Sequence, residues 1–219
     1  MELLLHSISV DWPVLLPILL CSLLVIAVVI NRFSFYENNK RDIVQFIHRL
    51  QKEIQRSNLD GAQNLSSQLG GVIGEVAEEG VRVLSEQKGD FSTSFDISTN
   101  LAVRKLEKHL TILGTIGAVA PFLGLFGTVV RILYTFQDLA QQGNQSAAVA
   151  MGIGSALIAT AFGLGVAIIA VIFNNSFHSV VRRYEDDFQL LKLLFLSFVD
   201  ETSKNTTTAN SHPTAPQQF

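Results

Sequence analysis

The chain has 219 residues, of which 48% are hydrophobic and only 16% are charged, and its formal net charge is −3. A soluble domain carries about a quarter charged residues, so this composition argues against an ordinary soluble protein, and the small net charge gives no support for a nucleic-acid partner. The single cysteine excludes a disulfide framework, and the five histidines are too scattered to predict a metal site.

Three apolar runs are long enough to cross a bilayer. The predicted spans are residues 13–31, 111–136 and 147–173, and Arg131 is the only charged residue within them. A helix needs roughly 20 mostly apolar residues to cross a hydrocarbon core of about 30 Å. Because no water is available there to pair with the backbone, each run is expected to be helical. We therefore predict an all-α integral membrane protein with three transmembrane helices.

The distribution of basic residues predicts the orientation. Eleven of the 16 Lys and Arg residues lie between positions 31 and 110, and none lies before the first span or between the second and third spans. Lys and Arg are enriched in cytoplasmic loops. We therefore predict a periplasmic arm at 1–12, a cytoplasmic loop at 32–110, a periplasmic link at 137–146 and a cytoplasmic C-terminus. The lack of positive charge before the first run favours an uncleaved anchor over a signal peptide.

The segments outside the spans are predicted to be mostly helical. In the loop at 32–110, apolar residues recur at helical spacing, and Ser98 or Thr99 can cap a helix that continues into the second span. Residues 174–201 are predicted to continue from the third span as an amphipathic cytoplasmic helix. The polar segment 202–219 is predicted to be disordered.

Small residues are abundant in the second and third spans, whereas the first span is rich in bulky Leu, Ile and Val. Gly124, Gly127 and Gly163 are among these small residues, which allow helix backbones to approach closely in a membrane. A two-helix hairpin explains some of them, but their number fits a larger assembly with several helix contacts better. Pro121, in the middle of the second span, predicts a kink.

Four of the polar side chains inside these two spans are predicted to line an ion path: Thr128 and Arg131 in the second, Ser155 and Thr160 in the third. A single hydroxyl in a membrane helix usually bonds back to its own backbone, but hydroxyls on two adjacent helices favour a hydrated path. An arginine within a span costs about 2.5–3.5 kcal/mol on insertion scales. Two interpretations of Arg131 stay open: it faces a protein interior or water, or it snorkels to the headgroups.

The segments LEKHLTILGTIGAVAPFLGLFGTVVRIL and GIGSALIATAFGLGVAIIAVIFNN resemble the second and third spans of the MotA/TolQ/ExbB proton channel family, most closely its TolQ and ExbB branch. The resemblance implies that Thr128 and Thr160 line an ion path and that Pro121 is the proline of the family's APF segment. It breaks at Ser155, where the family pattern has a glutamate, and at Arg131, where that pattern has a small residue.

The resemblance also implies a function. It predicts an inner-membrane ring, most simply a homopentamer, that surrounds a dimer of a TolR/ExbD-like single-span protein and can act with a TonB/TolA-like energy transducer. The chain is then an ion-conducting stator subunit, not an enzyme, that couples the proton motive force to mechanical work or transport in the cell envelope. No bound cofactor or metal is expected, and the hydroxyl-lined path suits sodium as well as protons. A proton-carrying carboxylate within the membrane must come from the partner.

Two other functions compete with this one. A serine–histidine protease dyad of Ser155 and His178 is rejected, because 23 residues along one helix separate them by roughly 30 Å or more. A non-conducting membrane scaffold or small carrier subunit remains the alternative. It accounts for the spans and the glycines, but it does not require hydroxyls on facing helices or a large helical loop.

Overall fold

A computed structural model describes residues 12–40, 42–86, 90–142 and 146–209. Within these ranges the chain is helical and forms no strand, so the predicted all-α class is confirmed. The predicted arm at 1–12 lies outside the described residues except for Trp12. The described helices are α1 (Trp12–Asn39), α2 (Ile43–Gln55), α3 (Leu59–Leu69), α4 (Gly71–Glu86), α5 (Phe91–Glu107), α6 (Leu110–Gln142) and α7 (Ser146–Ala209).

Three of these helices are long and apolar enough to cross a membrane, as predicted. The candidate spans are Leu15–Asn39 in α1, Leu110–Gln137 in α6 and Val149–Val199 in α7, with mean hydropathies of 2.4, 1.9 and 2.6. Helix α7 has 64 residues. At 1.5 Å per residue it is roughly 96 Å long, about three times the thickness of the hydrocarbon core. Much of α7 must therefore extend beyond the membrane.

The described residues form two compact units. The span unit comprises those within Met1–Ser34 and Glu107–Ser179, and the head unit comprises those within Phe35–Leu106 and Val180–Phe219. Helices α1 and α7 contribute residues to both units. The candidate ion-path residues all belong to the span unit.

Small residues form part of the core of the span unit, whose apolar surface is broad. Ala120 of α6 and Ala156, Ala159, Ala167 and Ala170 of α7 are all buried. Large apolar side chains on the same two helices are more than half exposed in the single chain, including Phe122, Phe126, Leu157 and Ile168. A membrane protein can leave such side chains exposed because lipid or another transmembrane helix covers them.

An aromatic cluster forms part of the head-unit core. The rings of Phe91 and Phe95 in α5 and of Phe195 in α7 have centroids 5.6–5.8 Å apart, as expected for packed aromatic pairs. Gly80 of α4 lies against this cluster, because a Cβ on it would be 2.6 Å from the Phe195 ring. Beside the cluster, Lys192 Nζ contacts both carboxylate oxygens of Asp96 at 2.7 Å.

The C-terminal end of α1 is fixed within the head unit by two hydrogen bonds. The buried Tyr36 hydroxyl donates to the Leu106 carbonyl at 2.8 Å, and the Val72 backbone N–H donates to Asn39 Oδ1 at 3.1 Å. Each bond pairs a side chain of α1 with the backbone of α4 or α5. A buried backbone group would be destabilising without a partner, so these contacts favour a specific position for this end of α1.

The predicted start and continuation of the helix before the second span were wrong. Asp90, not Ser98 or Thr99, caps α5: its carboxylate accepts from the Ser92 backbone N–H at 3.1 Å and from the Thr93 hydroxyl at 2.6 Å. The Thr93 hydroxyl, with smaller help from the Ser92 backbone, holds the pKa of Asp90 below its usual value. Aspartate suits this position because its oxygen pairs with otherwise unbonded first-turn N–H groups.

A turn separates α5 from α6, where the sequence predicted one continuous helix. His109 in this turn has φ of 68°, which is incompatible with a right-handed helix. At the other end of the chain, the segment 202–219 predicted as disordered is helical as far as Ala209, and residues 210–219 lie outside the described residues. Neither Gly nor Pro occurs between positions 166 and 212, so no strong helix breaker stops α7.

Candidate functional site

Helices α6 and α7 form an antiparallel hairpin whose backbones approach closely at glycines. A Cβ on Gly163 would lie 2.7 Å from the Ala120 carbonyl oxygen, and one on Gly124 would lie 2.9 Å from Thr160 Cα. Side-chain atoms do not approach backbone atoms this closely, so both positions require glycine at this helix separation. Gly127, the third glycine predicted to pack, is also buried.

The same close packing continues toward both ends of the hairpin. A Cβ on Gly117 would lie 2.8 Å from Val171 Cγ2. In the other direction, one on Gly152 would lie 2.7 Å from Thr135 Cγ2 and would overlap its Oγ1. The hairpin is therefore in contact over most of the length of the second candidate span.

Pro121 lies inside α6, and the helix continues on both sides of it. Proline has no backbone N–H, so the carbonyl four residues earlier loses its usual helical donor. The helix is not interrupted, and the predicted kink remains a prediction.

Arg131 and Ser155 are in direct contact across the hairpin. Arg131 Nε donates to Ser155 Oγ at 3.1 Å, and the Ser155 hydroxyl donates to the Gly152 carbonyl of its own helix at 3.0 Å. Ser155 is 4% exposed, whereas Arg131 is only partly buried. This contact joins the Arg131 side chain to α7, and the two interpretations of Arg131 stay predictions.

Thr160 also bonds across the hairpin. Its hydroxyl donates to the Gly124 carbonyl oxygen of α6 at 2.9 Å. This arrangement differs from the usual behaviour of a membrane-helix threonine, which bonds back to its own helix. Gly124 is what permits it, because any side chain at that position would hold the Thr160 backbone farther away.

Thr128 bonds within its own helix. Its hydroxyl donates to the Leu125 carbonyl oxygen at 2.6 Å, and the residue is 9% exposed. The Thr128 and Thr160 hydroxyls therefore donate to the carbonyls of consecutive residues, Leu125 and Gly124. Because each hydroxyl proton is engaged, the hydroxyl oxygens can act toward water as hydrogen-bond acceptors.

The four polar residues do not form one cluster. Ser155 and Thr160 are five positions apart in α7, which at about 100° per residue places them roughly 140° apart around the helix. One side of α7 thus carries the Arg131–Ser155 contact, and a different side carries the Thr160–Gly124 contact. The structure brings together two pairs, which the sequence did not distinguish.

One buried hydroxyl of the hairpin was missed in the sequence. Thr135 is 9% exposed, and its hydroxyl donates to the Arg131 carbonyl at 3.0 Å. It lies seven positions after Thr128 and so falls on nearly the same face of α6. That spacing is the signal that could have identified it.

Among the described residues, no group of three or more His, Cys, Asp or Glu side chains could hold a metal ion. In the sequence, the nearest carboxylates on either side of the α6 polar residues are those of Glu107 and Asp138, and none follows Asp138 until Glu185. The hairpin therefore offers hydroxyls, carbonyl oxygens and one guanidinium, but no carboxylate at the level of Thr128 or Thr160.

Comparisons with known proteins identify a family and several partial relatives. The profile of the MotA/TolQ/ExbB proton channel family matches residues 68–190. The biopolymer transport protein ExbB of Neisseria gonorrhoeae is 51% identical over 58 residues, 26% of either chain. The Tol-Pal system protein TolQ of Pseudomonas aeruginosa is 46% identical over 95 residues, 40% of this chain and 41% of the relative. The ExbB of Salmonella typhimurium is 39% identical over 74 residues, 33% and 30% of the two chains.

These matches to individual relatives span between about a quarter and two fifths of the relatives' own lengths. The family profile, in contrast, covers more than half of this chain and includes α6, most of α7 and all four polar residues. On the strength of that match, the chain belongs to the MotA/TolQ/ExbB proton channel family.

Proposed function

We propose that the chain is the ion-conducting stator subunit of a TolQ/ExbB-like complex, which couples the proton motive force to mechanical work or transport in the cell envelope. The observation that carries this proposal is the pair of threonines on a glycine-packed hairpin of a proton channel family. Thr128 and Thr160 donate to neighbouring carbonyls of α6, which orients both hydroxyl oxygens.

The proposed role of these threonines is to stabilise water in an apolar region. A hydroxyl whose proton is engaged by a carbonyl presents its oxygen lone pairs to water, hydronium or a sodium ion. Fixed acceptors of this kind replace part of the hydration that a cation loses on entering the membrane. The chain needs no cofactor and no catalytic residue for this task, and the same groups suit a proton or a sodium ion.

The proposal includes an assembly. Large apolar side chains of α6 and α7 remain exposed in the single chain, including Phe122, Phe126 and Leu157. A homopentameric ring would cover part of this surface and enclose a dimer of a TolR/ExbD-like single-span protein, which a TonB/TolA-like transducer can join. That partner would supply the carboxylate that carries the proton, because α6 and α7 have none at the level of the threonines.

The proposed setting is the bacterial inner membrane. The N-terminus and the link after α6 would be periplasmic, and the head unit, which holds most of the basic residues, would be cytoplasmic. Each charge that crosses yields about 2.3 kcal/mol per 100 mV, enough to shift the populations of two conformations of the complex.

The proposal is tested by purifying the complex with its native single-span partner and reconstituting it in vesicles. An imposed potential should drive proton uptake, reported by a pH-sensitive dye inside the vesicles, and vesicles with this chain alone should show much less. Replacing the proton gradient by a sodium gradient identifies the coupling ion. If neither ion moves through an intact complex, the non-conducting scaffold is the better description.

A further inference from the structure

His178 lies in the last turns of α7 that belong to the span unit, and it is half-buried there. In the sequence, no other residue between Asp138 and Arg182 has a side chain that ionises at physiological pH. Histidine is also the side chain whose ordinary titration lies closest to neutrality, which suits it to taking up and releasing protons. This stretch of the chain therefore contains one residue suited to proton exchange.

A hydrogen bond fixes which nitrogen of His178 can accept a proton. Nδ1 lies 2.9 Å from the backbone carbonyl oxygen of Asn174 in the same helix. A carbonyl oxygen only accepts hydrogen bonds, so Nδ1 carries the hydrogen, and the neutral ring has its lone pair on Nε2. Within the described parts of the chain, Nε2 makes no hydrogen bond. The imidazole is therefore held in the form that accepts a proton at Nε2.

His178 lies on the same side of α7 as Thr160. The two residues are 18 positions apart, which at about 100° per residue is five full turns, or roughly 27 Å along the axis. The Thr160 hydroxyl faces α6, because it donates to the Gly124 carbonyl. Asn174, one turn before His178, also lies against α6, since a Cβ on Gly114 would be 3.7 Å from Asn174 Oδ1. The face of α7 that carries Thr160 thus leads along the hairpin to His178.

The Asn174 side chain adds a second polar group at this end of the hairpin. Its Oδ1 is buried and has no hydrogen-bond donor among the described residues. A buried oxygen of this kind is usually paired with an internal water molecule. The amide therefore favours water over purely apolar packing one turn from the imidazole of His178.

We propose that His178 is the residue through which protons leave the ion path, at the end of the hairpin proposed to be cytoplasmic. Water carries the proton along the path, and Nε2 takes it from a hydronium ion, which becomes water. The imidazolium then gives the proton to a water molecule outside the path, and the ring returns to its neutral form. Throughout, the Nδ1 hydrogen stays on the Asn174 carbonyl. The inference rests on the proposed function and deepens it, because a sodium ion cannot be transferred in this way and the coupling ion is then the proton.

Other charged groups lie toward the helix ends that lead into the head unit, and one of them provides a matched control. They include Arg32 in α1, and Glu107, Lys108 and His109 ahead of α6. His109 is exposed and lies in the turn that precedes α6. Water reaches it without passing along the hairpin, so its replacement should not affect proton flux.

The test measures proton uptake by vesicles that contain the complex of the full chain with its native partner. His178→Gln keeps a polar side chain but cannot take up a proton, and we expect at least a roughly tenfold loss of proton flux. His109→Gln should conduct like the natural chain. Full proton flux through the His178→Gln complex overturns the inference, and so does an equal loss in the two variants.

Chemical rescue separates proton transfer from a structural role. His178→Ala removes the ring, and imidazole added to the medium can replace it as a proton carrier. We expect imidazole to restore most of the flux of the His178→Ala complex, with natural-chain vesicles in the same imidazole as the control. If the His178→Ala complex assembles normally and loses flux that imidazole does not restore, His178 has only a structural role and the inference is wrong.

Failure of the inference can be distinguished from failure of the proposed function. If the natural complex conducts protons and His178→Gln conducts them equally well, the proposed function stands and the role of His178 is wrong. If the natural complex conducts sodium and not protons, the ion-conducting role stands and the inference again fails. If the natural complex conducts neither ion, both are wrong.

Discussion

Arg131 Nε and Ser155 Oγ lie 3.1 Å apart, so the two positions at which the resemblance noted from the sequence breaks contact each other. A serine beside the arginine gives the guanidinium a neutral acceptor in place of the glutamate of the family pattern. The two departures are thus a structural pair, and their effects on stability should be coupled.

A double-mutant cycle measures this coupling. Ser155→Ala and Arg131→Met should each destabilise the hairpin, and the double variant should lose about 0.5–1.5 kcal/mol less than the sum of the single variants, as for interhelical hydrogen bonds in membranes. The measurement is denaturation of the protein in mixed micelles. Strictly additive losses would show that the hydrogen bond contributes nothing to stability.

The close packing of the hairpin at its glycines can be tested with a matched pair of alanine variants. Gly163→Ala places a Cβ 2.7 Å from the Ala120 carbonyl, so the helices must separate, and we expect a loss of about 1–3 kcal/mol. Gly165→Ala, two residues away with open space around it, should be neutral or stabilising because alanine favours helix by about 1 kcal/mol. Equal effects of the two variants in the same denaturation assay would contradict the described hairpin packing.

Two tyrosines, Tyr36 in the head unit and Tyr134 in the span unit, can be compared. Tyr36→Phe removes the donor to the Leu106 carbonyl in a buried site and should cost about 1–2 kcal/mol. Tyr134→Phe, at a position that is 57% exposed, should have little effect. Thermal unfolding followed by circular dichroism checks both, and a neutral Tyr36→Phe variant would show that the bond does not stabilise this part of the fold.

Orientation is tested by labelling single cysteines in a Cys21→Ser background. Exposed Gln137, at the end of the second span, and exposed Ser85, in the head unit, are the positions to replace by cysteine. A membrane-impermeant maleimide added to spheroplasts should label the first variant and label the second only after lysis. The reverse pattern would invert the proposed topology.

The sequence was sufficient for the spans and the helical class because the length of an apolar run is a local property. It was not sufficient for the Arg131–Ser155 and Thr160–Gly124 contacts, since these depend on the register of two helices that glycines bring together. The cap at Asp90 was missed because Ser98 and Thr99 also fit a capping position, and only the backbone decides between them. In the structure, Thr99 lies inside α5 and donates to the Asp96 carbonyl.

The central claim is that the Thr128 hydroxyl lies on an ion path. Its most direct test is proton flux through the reconstituted complex with Thr128→Val, compared with Thr115→Val. Thr115 also bonds back to a carbonyl of α6, but it is exposed and lies thirteen positions away, on the far side of the helix. Both variants should assemble normally. We predict at least a roughly tenfold loss of flux in Thr128→Val and unchanged flux in Thr115→Val, as expected when one fixed polar group is removed from a permeation path. Full flux through the Thr128→Val complex would contradict the claim.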